Sequence, residues 1–234
     1  MRQVVRFGYD GPPFVGWARQ PGLRTVEGEI LEGLVRQGLR SRVDPSTLEV
    51  ASRTDRGVSA RANALILESD LPPPSLLRAL NGIACELYFT AASIVESAFR
   101  VRAAVRRVYR YYEPGGHDLK QWNATAQQMV GALDVRSFGR SIPRGVPTLR
   151  TVESIQVRPQ PEGILIEVAG PSFVWGQVRK IVAALRAAEA GTLSETDLRA
   201  AVRGEIRLTL PLAEPERLVL LNVELPVKWE TAWN

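Results

Sequence analysis

Histidine and cysteine are almost missing from this sequence: its 234 residues include one of each, His117 and Cys85. Protein zinc sites take three or four ligands, mostly cysteine, histidine and carboxylate, and no acidic cluster here has ligand spacing. We therefore expect no metal centre. A single cysteine cannot form an intramolecular disulfide, and we expect Cys85 to be a small buried apolar side chain.

Cofactor-binding motifs are also missing. The chain has no Gly-x-Gly-x-x-Gly segment and no Walker-type phosphate loop, so we expect no nucleotide cofactor. A histidine-based catalytic triad would have to use His117, whose Gly115-Gly116-His117-Asp118 setting is typical of a turn. Once metal, nucleotide-cofactor and histidine-triad catalysis are set aside, the remaining candidates for catalysis are carboxylate, tyrosine and arginine side chains.

Long apolar runs are missing as well. None approaches the roughly 18 residues that a membrane-spanning helix needs, and the N-terminal residues lack the apolar core of a signal peptide. We expect a cytoplasmic protein with no membrane contact. The hydrophobic fraction of 45% and the charged fraction of 24% are near the globular average, which favours a soluble folded chain.

Lysine is scarce, since only Lys120, Lys180 and Lys228 are lysines and arginine supplies the remaining 27 of 30 basic residues. The net charge of +5 and the pI near 9.8 indicate a polyanionic partner. Arginine suits bidentate phosphate contact and stacking on bases. A high arginine content is also a common genomic bias, so composition alone does not establish RNA binding.

Hydrophobic periodicity predicts the order β-α-β-β-α-β twice. In the first half it predicts strands at Val5–Tyr9, Leu48–Ala51, Asn63–Glu68 and Phe89–Val95, with helices after Thr25 and at Ser75–Ala84. In the second half it predicts strands at Val105–Tyr112, Val152–Val157, Ile164–Ala169 and Leu218–Leu225, with helices at Leu119–Leu133, at Gln177–Glu189 and after Ser194. The fold class predicted is α+β: two ferredoxin-like halves, 1–102 and 103–234, whose antiparallel sheets adjoin and leave a central cleft.

One carboxylate stands out in the first half. Asp55 lies in Arg53-Thr54-Asp55-Arg56-Gly57-Val58, on a predicted loop between the two middle strands, and loops on a rigid scaffold often carry function. Flanking arginines would keep the carboxylate ionised, so that it could act as a nucleophile or a base. The alternative is an ordinary Asp-x-Gly turn with solvated charges.

The first strand of the second half interleaves arginine and tyrosine. Alternation puts Val105, Arg107, Tyr109 and Tyr111 on one face and Arg106, Val108, Arg110 and Tyr112 on the other. Such a strand offers cations to phosphates and aromatic faces to a base. It could equally be an edge strand whose aromatic side chains pack on the sheet.

Two further basic features follow. Arg179 lies in the first turn of a predicted helix, where the helix dipole disfavours a cation. It needs a carboxylate partner, for which Asp55 is a candidate, unless the side chain extends to water. The polar segment Gly139–Arg150, which contains Arg140 and Arg144, is predicted to be a mobile loop or a strand extension facing the partner.

Together these stretches resemble the TruA-type tRNA pseudouridine synthases, in order over nearly the whole chain. The segments that carry the resemblance are Tyr9-Asp10-Gly11 with Gly16-Trp17-Ala18-Arg19-Gln20, Arg53-Thr54-Asp55-x-Gly57-Val58, Phe99 to Arg102, Arg107-x-Tyr109-Arg110-Tyr111, and Ser172-Phe173 through Val182. The Asp55 motif is the most specific of them. Their joint order is hard to obtain by chance.

The resemblance implies roles for individual residues. Asp55 would attack the target uridine, Tyr109 would stack on or deprotonate the isomerising base, and Arg179 would pair with Asp55 across an RNA-binding cleft. Arg53 would replace the flipped-out base in the RNA stack. The other residues assigned to RNA binding are Arg56, Arg19, Gln20, Arg107, Arg110 and Arg144. The family's members are homodimers that modify nucleotides 38 to 40 of the anticodon arm of tRNA.

The implied reaction breaks the N1–C1′ bond, turns the uracil and joins C5 to C1′. It has no redox step, so no cofactor is expected. A carboxylate can begin it by attacking C1′ or C6 or by removing the C2′ proton, and the sequence leaves these three routes open. C5 must then lose its proton, for which Tyr109 is a candidate base.

Departures from the family pattern leave alternatives open. Ser59 stands where bacterial members often have histidine, and Val101 and Gln177 replace the commoner alanine and methionine, so the target nucleotide is in question. One alternative is the same chemistry on a different uridine or RNA. Another is a non-catalytic RNA-binding protein on the same fold, which would not need Asp55.

Overall fold

The computed structural model describes residues 1–142 and 144–231 and divides the chain into two compact units. The first unit is Met1–Val105 together with the C-terminal segment that begins at Leu220, and the second is Arg106–Val219. The boundary near residue 105 lies close to the expected division of 102 from 103. The C-terminal segment was expected in the second half, and residues 232–234 of that half lie outside the described residues.

The first unit begins with the element order β-α-β-β-α-β. Its elements are β1 (Arg2–Tyr9), α1 (Val26–Arg36), β2 (Glu49–Val50), β3 (Ser59–Glu68), α2 (Pro73–Leu80) and β4 (Leu87–Ile94). β1 lies between β3 and β4 and is antiparallel to both, and β2 pairs antiparallel with β3. The Thr25 hydroxyl caps α1 by accepting a hydrogen bond from the backbone N–H of Gly28.

The described strands of the second unit pair in two groups. Its elements are β5 (Arg106–Pro114), α3 (Leu119–Gln127), β6 (Gly131–Asp134), α4 (Val135–Phe138), β7 (Leu149–Val152), β8 (Ser154–Gln160), β9 (Gly163–Gly170), α5 (Gln177–Glu189) and α6 (Glu195–Val202). β9 pairs antiparallel with β5 and with β8, and β6 pairs with β7. α5 has the predicted bounds, and Ser194 caps α6 as predicted.

The predicted helix Leu119–Leu133 is wrong at its C-terminal end. α3 ends at Gln127, and Leu133 lies in β6, a strand that was not predicted. Gly131, the first residue of β6, has a φ of 98°, which is outside the helical region, so a helix cannot continue through it to Leu133. Met129 and Leu133 are fully buried, so the apolar stripe predicted burial correctly but not the secondary structure.

The chain ends with two more strands, β10 (Leu218–Glu224) and β11 (Glu230–Thr231). β10 lies beside β3, and β11 pairs antiparallel with β4. These backbone hydrogen bonds explain why the segment from Leu220 belongs to the first unit. Among the described residues, no helix is long and apolar enough to cross a membrane.

The expectation of a buried Cys85 is wrong, because this residue is exposed. It lies in the connection between α2 and β4, where Ile83 supplies the buried apolar side chain instead. The Cys85 thiol donates a hydrogen bond to the Glu86 carboxylate at 3.2 Å, and this carboxylate raises the pKa of the thiol.

Candidate active site

Asp55 lies on the loop between β2 and β3, as predicted. The backbone N–H of Val58 donates to the carbonyl of Asp55 at 3.2 Å, which closes a four-residue turn. Gly57, the third residue of this turn, has a φ of 79°, a conformation that glycine adopts without strain. Asp55 is half-buried, whereas Arg53 and Arg56 are exposed.

The end of β1 and the segment after it hold this loop in place. The Tyr9 and Thr54 hydroxyl oxygens lie 2.7 Å apart, and the backbone N–H of Trp17 donates to the Thr54 carbonyl at 3.1 Å. Tyr9 and Trp17 are each 1% exposed. The residue directly before Asp55 is therefore fixed through both its side chain and its main chain.

Two glycines allow the close approach of these segments. A Cβ atom on Gly11 would lie 2.4 Å from the carbonyl carbon of Val58, and one on Gly16 would lie 3.1 Å from the backbone nitrogen of Arg56. The Gly11 N–H also donates to the Ser59 hydroxyl at 2.9 Å. Ser59, a departure from the family pattern, therefore helps to attach the loop to the Tyr9-Asp10-Gly11 segment.

This supporting role was not predicted for Tyr9, Gly11, Gly16 or Thr54. The sequence signal was present in the two glycines, which both lie in the segment that follows the predicted strand Val5–Tyr9. Arg19 and Gln20 follow Trp17 and are exposed. The Arg19 backbone N–H donates to the Glu27 carboxylate at 2.8 Å.

In the second unit, the side chains of β5 alternate as predicted. Arg107, Tyr109 and Tyr111 are buried, with exposures of 7%, 9% and 0%, whereas Val105 is 60% exposed and precedes the strand. The Tyr109 ring meets Phe173 edge to face, with 5.3 Å between the centroids. Two of the segments that carry the family resemblance are therefore in direct contact.

Two arginines assigned to RNA binding have intramolecular partners. Arg107 donates to the Pro171 carbonyl, and burial lowers the pKa of its guanidinium. Arg110 pairs with Glu167 on the neighbouring strand, with its Nε 2.8 Å from the carboxylate. Their assignment as RNA contacts stays a prediction.

Arg144 is exposed in the Gly139–Arg150 segment, whose last two residues are the first two of β7.

Arg179 is oriented by a main-chain carbonyl. It is half-buried in the first turn of α5, and its Nε donates to the Ala213 oxygen at 2.6 Å. The next residue, Glu214, accepts hydrogen bonds from the Tyr111 hydroxyl at 2.8 Å and from Arg186 at 2.6 Å. Arg186 lies two turns after Arg179, so both residues are on the same face of α5.

The contacts of Glu214 keep its carboxylate charged. Hydrogen bonds from Arg186 first, then from the backbone and Tyr111, lower the pKa of Glu214 to about 2. Arg186 also donates to Glu113 at the end of β5, from Nε at 3.0 Å. No pattern in the sequence indicated that Ala213 and Glu214 would support Arg179.

Each part of the predicted site is thus formed within its own unit. Asp55 and its supporting residues belong to the first unit, and Tyr109 and Arg179 belong to the second. The meeting of Asp55 with these two residues stays a prediction.

Comparison with known proteins supports the sequence resemblance. Residues 125–226 match the family model described as tRNA pseudouridine synthase. The chain is 36% identical over 229 residues to tRNA pseudouridine synthase A of Thermococcus kodakarensis, covering 97% of this chain and 85% of the relative. It is 37% identical over 228 residues to the protein of the same name from Thermococcus onnurineus, covering 96% and 85% of the two chains.

Among solved structures, the chain is similar to one described as a crystal structure of a Cbf5-Nop10-Gar1 complex. The sequence identity is 13%, the TM-score is 0.48, and the match covers 80% of this chain and 44% of the other. The sequence matches alone show that this chain belongs to the tRNA pseudouridine synthase A family, the enzymes that isomerise uridine to pseudouridine in tRNA.

Proposed function

We propose that the chain isomerises uridine at nucleotides 38 to 40 of the anticodon arm, with Asp55 as the catalytic carboxylate. The observation that carries this proposal is the support given to the Asp55 loop. Tyr9 and Trp17 form hydrogen bonds with Thr54, the residue before Asp55. Gly16 and Gly11 lie close to the backbone of Arg56 and Val58, which follow Asp55. Preorganisation of this kind is what a catalytic group requires and what a surface turn does not.

The chemistry needs a fixed carboxylate and a base. Asp55 attacks C1′ or C6, or removes the C2′ proton, and the N1–C1′ bond breaks. The uracil turns and C5 bonds to C1′; the bond that Asp55 formed breaks, or the C2′ proton is returned. The proton on C5 then leaves and N1 takes up a proton. Tyr109 is the proposed base, and its ring is held by an edge-to-face contact with Phe173. Arg179 balances the charge of Asp55, and Ala213 directs the Arg179 side chain.

Access to the base requires the target nucleotide to leave the helical stack. Extruding a nucleotide costs a few kcal/mol, which stacking and phosphate contacts offset. We assign Arg53 to the space that the base vacates, because this side chain is exposed beside the Asp55 turn. Arg56, Arg19, Gln20 and Arg144 are also exposed and are proposed to contact the RNA backbone.

The proposal also covers the fold of each half, the RNA-binding cleft and the oligomeric state. The order β4-β1-β3-β2 of antiparallel strands in the first unit supports a ferredoxin-like half. We propose that two such halves adjoin and form the RNA-binding cleft, that the enzyme works in the cytoplasm as a homodimer, and that one tRNA spans both subunits.

Mapping of the product tests the choice of nucleotide. Three tRNA transcripts, each with uridine at only one of positions 38, 39 and 40, would be treated with the protein, and pseudouridine located by carbodiimide labelling and primer extension. We expect modification at these positions. Modification elsewhere would favour the alternative of the same chemistry on another uridine. Binding of tRNA without modification at any position would favour the non-catalytic RNA-binding protein.

A further inference from the structure

Trp175 is unusually exposed for a tryptophan. It lies in the short connection between β9 and α5, and 50% of its surface is open to solvent. The guanidinium carbon of Arg140 lies over its ring, 4.5 Å from the centroid. The ring therefore combines a cation on one face with enough exposed area for another planar group.

The backbone holds this pair together. The Arg140 N–H donates to the Trp175 carbonyl at 2.8 Å. A Cβ on Gly139 would lie 2.7 Å from a Val174 methyl carbon, and one on Gly176, whose φ is 75°, would lie 2.9 Å from a Leu212 methyl carbon. A Cβ on Gly139 would also lie 2.9 Å from the Val135 carbonyl oxygen, so the backbone on both sides of the contact is closely packed and favours glycine.

A second cation lies next to the pair. Lys180, in the first turn of α5, donates to the Ser137 carbonyl at 3.4 Å. Burial first, and then the charge of Arg140, lower the pKa of Lys180. The two cations repel each other, so an anion bound between them would relieve this repulsion. Arg144, four residues after Arg140, is exposed on the same segment.

We propose that Trp175 and Arg140 form a stacking site for an unpaired nucleotide of the tRNA, and that Lys180 contacts the adjacent phosphate. Exposed aromatic rings beside cations are the elements with which proteins bind single-stranded nucleic acid. The identification of the bound molecule as tRNA rests on the proposed function. The site adds an RNA contact outside the residues assigned to chemistry.

Binding measurements with substitutions at the ring give the first test. We expect Trp175→Ala to raise the Kd for an unmodified tRNA transcript about 5- to 160-fold, the range typical of losing one stacked base. Trp175→Phe should restore most of the affinity, because phenylalanine keeps a stacking face. Trp229→Ala is the matched control: Arg6 lies over the Trp229 ring at 4.4 Å, and this pair belongs to the first unit.

Salt dependence separates the stacking contact from the phosphate contact. A phosphate contact releases counterions, so Lys180→Gln should reduce the slope of log K against log salt concentration by about 1. Trp175→Ala should weaken binding and leave this slope unchanged. A shallower salt dependence of log K in Trp175→Ala, or an unchanged salt dependence in Lys180→Gln, would contradict the assigned roles.

Photochemical crosslinking locates the contact directly. A tRNA transcript that contains 5-iodouridine should, on irradiation, crosslink to the peptide that contains Trp175, and Trp175→Ala should remove this product. If wild type forms pseudouridine but neither crosslinks at Trp175 nor loses affinity in Trp175→Ala, the stacking site is wrong. If wild type forms no pseudouridine while the crosslink persists, the proposed function fails and the RNA site stands.

Discussion

The side-chain hydroxyls of Tyr9 and Thr54 lie 2.7 Å apart, and this contact joins the end of β1 to the residue that precedes Asp55. Tyr9 is 1% exposed, so its position is fixed by the core of the first unit. The contact transmits that rigidity to the loop that carries Asp55. Tyr9 and Thr54 are 45 residues apart in sequence, so this contact joins two separate segments of the family resemblance.

Removal of the Tyr9 hydroxyl tests this connection. Tyr9→Phe keeps the ring and removes the hydrogen bond with Thr54, and a hydrogen bond is worth about 0.5–1.5 kcal/mol. We expect kcat for tRNA to fall about 3- to 10-fold with little change in KM, because the substrate is not touched. Tyr112→Phe is the control, since that hydroxyl donates to the Glu162 carbonyl in the second unit. Equal losses of kcat in the two variants would show that the Tyr9 hydroxyl has no specific role in holding the Asp55 loop.

Gly16 offers a second test of the loop support. Gly16→Ala places a Cβ 3.1 Å from the backbone nitrogen of Arg56 at a φ of 89°. Gly22→Ala is a matched control, because its φ is 73° but nothing lies within 4 Å of its Cβ. Both should lose about 1 kcal/mol of stability from backbone strain, and only Gly16→Ala should lose most of its activity. Similar activities in the two variants would contradict the account.

Glu214 is expected to position Arg179 without touching the substrate. Removing its carboxylate frees the segment whose Ala213 oxygen orients the Arg179 side chain. We expect kcat to fall in Glu214→Gln and further in Glu214→Ala, with the Kd for tRNA unchanged. Glu195→Gln, which breaks an exposed ion pair with Arg199 on α6, is the control. A normal kcat in Glu214→Ala would show that Arg179 needs no such support.

His117 should make stability depend on pH. One ring nitrogen lies 2.9 Å from the Glu189 carboxylate and the other lies 3.0 Å from the Pro114 carbonyl, so only the protonated ring donates to both. Burial alone would lower the pKa of His117, but these two acceptors raise it overall. The stabilisation is therefore complete below the unfolded pKa of about 6.5 and is lost as pH rises through the higher folded value.

Nuclear magnetic resonance and unfolding measurements check this expectation. His117 is the only histidine, so its ring resonance gives the folded pKa without ambiguity. The difference in unfolding free energy between wild type and His117→Gln should be largest near pH 5.5 and should shrink towards pH 8. A folded pKa below 6.5, or a difference that grows with pH, would show that the contact does not favour the charged ring.

Local sequence signals predicted the elements whose ends are chemically marked. Thr25 and Ser194 were identified as the N-caps of α1 and α6 from their residue type. The bounds of α5 were predicted to the residue from its continuous apolar stripe. The extra strand β6 was missed because Leu133 continued the stripe of α3, and only Gly131 indicated the break. Periodicity predicts which side chains are buried better than it predicts where a helix stops.

The candidate site residues could be named from sequence motifs, whereas the residues that support them could not; the roles of the named residues stay predictions. Asp55, Tyr109 and Arg179 lie in recognisable motifs, and the alternation of β5 correctly grouped Tyr109 with Arg107 and Tyr111; that this face is buried was not predicted. The Ala213 carbonyl and Glu214 lie more than 30 residues from Arg179 in sequence. Such contacts depend on tertiary structure, so no local pattern can indicate them.

The most direct test of the central claim is tritium release from tRNA that carries 5-tritiated uridine, because C5 loses its hydrogen only when pseudouridine forms. Wild type, Asp55→Asn and Asp70→Asn would be compared at saturating tRNA; Asp70 is a fully exposed carboxylate of the same unit. We expect release by wild type and Asp70→Asn, and none above background by Asp55→Asn, whose tRNA affinity should stay within about threefold of wild type. Release by Asp55→Asn at the wild-type rate would contradict the assignment of Asp55 as the catalytic carboxylate.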